Sequence, residues 1–204
     1  MRFYSYVVAR DYGFAPNPFN GICSLATCKP KIRKGAMIGD WIFGTGSVNV
    51  SFQNYLIFAM KVTEKLTFNR YWEGPRFNTK KPIMNGCSLK KMYGDNIYCH
   101  DGKEWHQADS HHSLKDGKVN IYNLERDTSV DAVLLSDDFY YFGKGAVKIH
   151  SRYVDHIVKK GPGYRCPENI WGERFIDFIR KRYRTGYYDD PIWFEKFKRY
   201  DGKS

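Results

Sequence analysis

The chain has little of what marks the common function classes. Its 204 residues contain no apolar run of the ~18 or more needed to cross a bilayer as a helix, so no membrane partner is expected. The opening, Met1-Arg-Phe-Tyr-Ser-Tyr-Val-Val8, reads as a strand and lacks the charged, apolar and cleavage regions of a secretory signal, which points to a cytoplasmic location. Cysteines number five, with no Cys-x-x-Cys pair, so reduced thiols are expected rather than a disulfide framework. Cys99-His100 with His106, His111 and His112 lacks the spacing of a zinc site, and no metal is expected. There is no phosphate-binding Gly-x-x-x-x-Gly-Lys loop, no dinucleotide Gly-x-Gly-x-x-Gly, no zinc-deaminase signature and no metalloprotease motif. No cofactor is therefore expected. Internal repeats and low-complexity runs are also absent. Acidic residues are scarce, 22 against 33 Lys and Arg.

That shortage leaves a net charge of +11, which favours a polyanionic partner, nucleic acid first. Hydrophobic content of 42% is enough for a real core, and the length suits one domain or one domain with an appendage. Aromatics reach 17%, with sixteen tyrosines, whose apolar ring and polar tip suit half-wet surfaces as well as cores.

Strands are expected at residues 3–10, 39–43, 55–62, 96–99, 128–136 and 139–142 from their apolar, β-branched and aromatic runs. Residues 23–27 suit either a strand or a helical turn. The basic run 29–34 is expected to be kept out of a helix interior by Pro30. Residues 68–77 suit a short helical turn that Gly74-Pro75 stops. The clearest helix lies within 167–184, where Ile170, Trp171, Phe175, Phe178, Ile179 and Tyr183 recur at three- and four-residue spacing. A second short helix is expected at 191–199. The expected class is α+β: a small curved mixed sheet or barrel with packed helices and a C-terminal helix.

The stretch of greatest interest is residues 13–47, GFAPNPFNGICSLATCKPKIRKGAMIGDWIFGTGS. A proline-punctuated loop carries Asn17, then Thr27, Cys28, Lys29 and Arg33 crowd together, and Trp41 leads to a Gly44-Thr45-Gly46-Ser47 turn. Sparse side chains beside hydroxyls and cations let backbone approach an anionic or planar ligand. The aromatics Trp41, Tyr71, Trp72 and Trp105 can wall a stacked base, with Asn17, Thr45, Ser47, Asp95 and Asn96 for its polar edge. Arg76, after Gly74-Pro75, is expected to be a positioned phosphate contact. A polar cluster, His106-Gln107 with Asp109-Ser110-His111-His112 and His106 favoured in it, can supply an acid, a base and its orienting carboxylate, and Cys23 or Cys28, the latter beside Lys29, can supply a thiolate nucleophile. Each aromatic also suits core packing, and the polar cluster a hydrated loop.

Three separated stretches carry a resemblance: YSYVVARDYGFAPNPFNGICSLATCKPKIRKGAMIGDWIFGTGS, RYWEGPRFNTKKP and GDNIYCHDGKEWHQADSHH. Together they resemble the prokaryotic family called nucleotide modification associated domain 2, over most of residues 4–145. The resemblance implies a place in DNA base modification or in defence against modified phage DNA. The order of first strand, loop, basic segment, Gly-Asp-Trp strand, Phe58-to-Glu64 strand and Tyr71-Trp72 is similar to PUA-like domains of the EVE and ASCH type, which implies a small barrel that binds a modified base. The expected organisation is such a domain over 1–160, interrupted by an insertion at about 85–127, and a helical extension over 161–204. The expected function is recognition of a base, modified or not, in nucleic acid or a nucleotide. The alternatives are a base- or nucleotide-modifying transferase or hydrolase using the His/Asp/Cys residues, and a protein-interaction module.

Overall fold

A computed structural model describes residues 1–84 and 86–202. Asn85, the first residue of the expected insertion, and 203–204 at the end of the expected extension lie outside the described residues. In chain order the first elements are β1 (Phe3–Val8), β2 (Cys23–Leu25), α1 (Pro30–Gly35), β3 (Trp41–Gly46), β4 (Tyr55–Lys61), β5 (Glu64–Leu66), α2 (Phe68–Glu73), α3 (Leu89–Met92) and β6 (Tyr98–His100). Then follow β7 (Trp105–Gln107), α4 (Ile121–Thr128), β8 (Val133–Ser136), β9 (Phe139–Tyr141), β10 (Val147–Lys148), α5 (Ser151–Ile157), β11 (Tyr164–Arg165), α6 (Asn169–Arg180) and β12 (Gly186–Tyr187). The class is α+β, as expected from sequence.

The described residues form two compact units built from interleaved segments. The first comprises Met1–Asp11, Ala36–Glu64 and Ser136–Trp193. It holds a mixed sheet in the order β11-β1-β3-β4-β9-β12, with β10 also on β4. β1 and β3 run parallel, β3 and β4 antiparallel, so the sheet is open rather than closed into a barrel among the described residues. The amphipathic α6 lays Phe175, Ile176 and Ile179 into one core with Phe3, Trp41 and Phe43. Burial of each such side chain stabilises by ~1.5–3 kcal/mol. Gly172 lets this helix close on the sheet, because a Cβ there would sit 2.3 Å from the Phe3 ring.

The second unit comprises Tyr12–Gly35, Lys65–Leu135 and Phe194–Ser204. It holds the β2-β8-β5 sheet and the β6-β7 hairpin. Phe14, Phe68, Tyr71, Phe77, Tyr93, Tyr98 and Leu135 make its core. A polar network is buried with them. The Lys80 ammonium donates to Asn17 O at 3.0 Å, Asn17 Oδ1 at 2.7 Å and Ile22 O. Burial outweighs the nearby Asp95 charge and pushes the Lys80 pKa down to about 8. Asp95, raised by burial, accepts from Ser24 Oγ at 2.7 Å and Tyr71 Oη at 2.8 Å.

Several local expectations change. The basic run does form a helix, α1, because Pro30 takes its first position, where the missing N–H costs nothing. Gly44-Thr45-Gly46 is the end of strand β3 rather than a turn. Gly44 is required there because a Cβ would lie 2.0 Å from the Phe58 ring. Residues 191–199 form turns, held by bonds such as Trp193 N to Asp11 O at 2.8 Å, not a helix. Helices α4 and α5 were hidden by short polar windows, and the expected 128–136 strand starts only at Val133.

Candidate active site

The site grows from the sharp corner between β2 and α1, in the second unit. Cys28 and Lys29 both take left-handed backbone, at φ 56° and 43°. Two successive side-chain-bearing residues in that region are strained, and such strain persists only where surrounding contacts over-determine it. Here both backbone groups of Cys28 are held. Its N–H donates to Asp127 Oδ1 at 2.8 Å, and its carbonyl accepts from Arg33 Nε at 2.8 Å. Arg33, fully buried on α1, spends its other donors on Asp127 O, Val130 O at 2.9 Å and Ala132 O at 2.6 Å. The guanidinium thus ties the Cys28 corner to the C-terminal end of α4.

Asp127 sits on the last turn of α4, fully buried. Four donors converge on its carboxylate. Oδ2 takes His112 Nδ1 at 2.7 Å and Tyr98 Oη at 3.0 Å. Oδ1 takes Arg126 Nε at 3.0 Å besides the Cys28 amide. Gln107 Nε2 backs the tyrosine at 3.1 Å, and Gln107 and Asn123 hold the His112 carbonyl at 3.3 and 3.0 Å. The Phe14 ring packs on the His112 ring at 4.6 Å. With Nδ1 committed to the carboxylate, Nε2 faces the Cys28 sulfur at 4.0 Å. Arg126 Nη2 lies 3.8 Å from the same sulfur.

The electrostatics match a thiolate–imidazolium pair. Burial and Asp127 push the Cys28 thiol up, but the His112 hydrogen bond and charge, with Arg126, leave it below the ordinary thiol value. Burial depresses His112, but the Asp127 charge and hydrogen bond, then Cys28, raise it to about 9. Burial also opposes Asp127 ionisation, yet His112 and Arg126 hold it well below the usual carboxylate range. The lowered thiol and the raised imidazole favour passing the proton from sulfur to nitrogen, which makes the sulfur more nucleophilic, and Asp127 keeps the ring oriented. Cys28 is half-buried and the Arg126 side chain 26% exposed, while His112 and Asp127 are enclosed, so the Cys28–Arg126 side of the cluster lies nearest solvent.

A family model described as nucleotide modification associated domain 2 matches residues 1–198. The chain belongs to that family. The match is wider than the stretches that carried the resemblance, and it ties the chain to nucleotide modification. No curated protein and no solved structure matches the chain.

In this family member the residues singled out from sequence fall in different places. Cys28 stands in the constellation. His106 is exposed on β7 and faces the equally exposed Asp101 at 3.8 Å. Asp109 binds Arg199 at 2.6 Å and accepts from Ser113 Oγ at 2.9 Å. Neither is a partner of the Cys28 sulfur among the described residues. Thr27, fully buried beside Cys28, has a hydroxyl with no hydrogen-bond partner among the described residues, and Lys29 is half-buried. Arg33 braces the corner rather than facing solvent. Asn17, Tyr71 and Asp95 belong to the Lys80 network, and Asn96 donates to Tyr71 O at 2.8 Å. Trp105 packs edge-on against Phe68 at 5.5 Å, Trp72 lies under Lys81 Nζ at 4.2 Å, and exposed Arg76 covers Phe77 at 4.5 Å. Trp41, Thr45 and Ser47 belong to the first unit. Trp41 is 1% exposed against Tyr140, Thr45 Oγ1 donates to Tyr6 O at 3.3 Å, and Ser47 follows β3. Asp127 and Arg126 were missed, and His112, though inside the polar cluster, was passed over for His106. The only sequence trace of them is a polar Asp-Ser-His-His run and an Arg-Asp pair closing an amphipathic window.

Proposed function

We propose that the chain is a cysteine-nucleophile hydrolase or transferase acting in nucleotide modification, with Cys28, His112 and Asp127 as its reactive triad. One observation carries this reading: His112 bonds Asp127 through Nδ1 at 2.7 Å and faces the Cys28 sulfur through Nε2 at 4.0 Å. A dyad on a thiol returns a proton to a group leaving from the carbon the sulfur attacks. That favours addition and elimination at a carbonyl- or amidine-type carbon. The Cys28 thiolate adds to that carbon, a C–S bond forms, and the π electrons move to its oxygen or nitrogen. Arg126 is placed to stabilise the charge that develops there. On collapse the bond to the leaving group breaks, and His112 Nε2 supplies the departing proton. Neutral His112 then deprotonates water or an acceptor amine. That nucleophile attacks the thioester-type carbon, the C–S bond breaks, and thiolate and imidazolium are restored. The family and the basic charge support a nucleotide or nucleic-acid base as the bearer of the carbon, in a base-modification or defence pathway.

Iodoacetamide alkylation followed by peptide mass spectrometry across pH tests the pair. Cys28 is expected to alkylate at pH values where exposed Cys166 is still slow, and His112→Ala is expected to erase that advantage. A Cys28 rate that tracks Cys166 over the whole range would refute the assignment.

A further inference from the structure

We propose that the face formed by α5 and α6 in the first unit is a docking groove for single-stranded nucleic acid. Between Ser151 and Arg184 the chain places nine Lys or Arg against four Asp or Glu, a large part of the net +11. The two helices pack together and enclose a groove of about 550 Å³ lined by Arg152, Tyr153, Trp171, Arg174, Phe178 and Arg182, with Lys181 beside them and Asp177 as its one carboxylate. None of Arg152, Arg174, Lys181 and Arg182 has a carboxylate at ion-pair distance among the described residues. Aromatic rings hold the guanidinium groups instead. Arg182 lies 3.8 Å over Phe178, Arg152 4.7 Å over Tyr153 and Arg174 5.5 Å over Trp171. His156 stacks on the Trp171 indole at 3.5 Å and steadies it.

Rings that fix guanidinium planes lower the ordering cost of binding a phosphate, and those planes also stack on bases. A second recess at the C-terminal side of α5 carries Lys159, Lys160 and Arg165, with Asp155 3.9 Å from Lys160. Positive charge along two helices, over recessed rings, fits a flexible polyanion with π faces. A bilayer surface fits less well: Tyr153 is 4% exposed and Trp171 and Phe178 are half-buried, so the groove offers no protruding ring for the acyl region. The proposal builds on the nucleotide relation of the proposed function but not on its thiol chemistry.

Fluorescence anisotropy of a labelled oligo-deoxythymidine and an oligo-uridine of about twenty nucleotides, across salt, reads the groove. Four phosphate contacts predict a slope of about −2.8 in log affinity against log salt, a loss of about 50-fold between 50 and 200 mM. Arg174→Ala/Arg182→Ala is expected to cut the slope to about −1.4 and that loss to about 7-fold, with Cys28 alkylation unchanged. Lys115→Ala/Lys118→Ala in the other unit removes the same charge and is expected to leave the slope intact. An equal fall in both double variants overturns the proposal, as does binding to phosphatidylserine vesicles with none to either oligonucleotide. If Cys28 alkylation proves ordinary while the groove variants lose the oligonucleotide, the thiol reading fails and this one stands.

Discussion

Replacing Cys28 with Ser separates the thiol from its dyad and exposes a proton balance the native pair conceals. His112 titrates at about 9 in the fold against an ordinary 6.5. A raised imidazole stabilises the fold fully below pH 6.5, and that stabilisation is lost as pH rises through about 9. Cys28 is shifted the other way, below its ordinary 9. A lowered acid stabilises the fold above its unfolded value, and that contribution is lost as pH falls through the folded one. In the unfolded chain between those ordinary values the proton sits on sulfur; in the folded pair the lowered thiol and raised imidazole shift it toward nitrogen. The two shifts have opposite signs, so their contributions to the pH slope of stability oppose each other. In Cys28→Ser only the imidazole slope remains, because the Asp127 charge and hydrogen bond that raise it are still present. The span from 6.5 to about 9 corresponds, at 1.36 kcal/mol per pH unit, to about 3 kcal/mol. That is an upper limit, since Cys28 supplies part of the shift. With a urea m-value of ~2 kcal/mol/M, the variant's unfolding midpoint should fall by up to about 1.5 M more than the wild type's between pH 6.5 and 9.5. Tyrosines and lysines that titrate in this range are common to both proteins and cancel in the comparison. Midpoints that move in parallel would show that no ion pair exists.

Asp127→Asn places an amide N–H₂ among four converging donors and leaves His112 and Arg126 without their buried counter-charge. It should destabilise by about 3–5 kcal/mol in urea and slow Cys28 alkylation at neutral pH; an unchanged midpoint refutes the buried-carboxylate account. Arg33→Met strips the donor from the carbonyls of Cys28, Asp127, Val130 and Ala132. At ~1–3 kcal/mol for each orphaned group, a loss of more than about 3 kcal/mol is expected, read by thermal unfolding. His106→Ala should leave the urea unfolding midpoint and Cys28 alkylation as they are, because its contact with Asp101 is solvent-exposed on both sides and screened. Gly172→Ala should destabilise by pushing α6 off the Phe3 ring, whereas Ala at an open helical site would be mildly favourable.

What could be read without coordinates was whatever depends on near neighbours in the chain. The α6 stripe, the β1, β3 and β4 runs and the turn at Gly74 follow from side-chain period and backbone sterics, and all appear. The family was legible too, since separated motifs carry it. Short elements escaped. Pro30 reads as a helix breaker or a helix starter depending on what precedes it, and only the left-handed pair Cys28-Lys29 makes it a starter. The aromatics were the poorest guide, because a ring suits a wet stacking surface and a dry core equally, and Trp41 and Tyr71 went to the core.

The sequence by itself determined the α+β class, the basic charge and the presence of a cysteine beside a basic run. The partners of that cysteine were decided by tertiary structure alone. His112 is 84 residues from Cys28, and Asp127 is 15 beyond His112. His106 and His112 look alike in a polar run. They differ because one points to water and the other is enclosed under Phe14, bonded to a buried carboxylate. A titrating group acquires its role from burial and from the charge it faces, and both are properties of the packed fold rather than of the local chain.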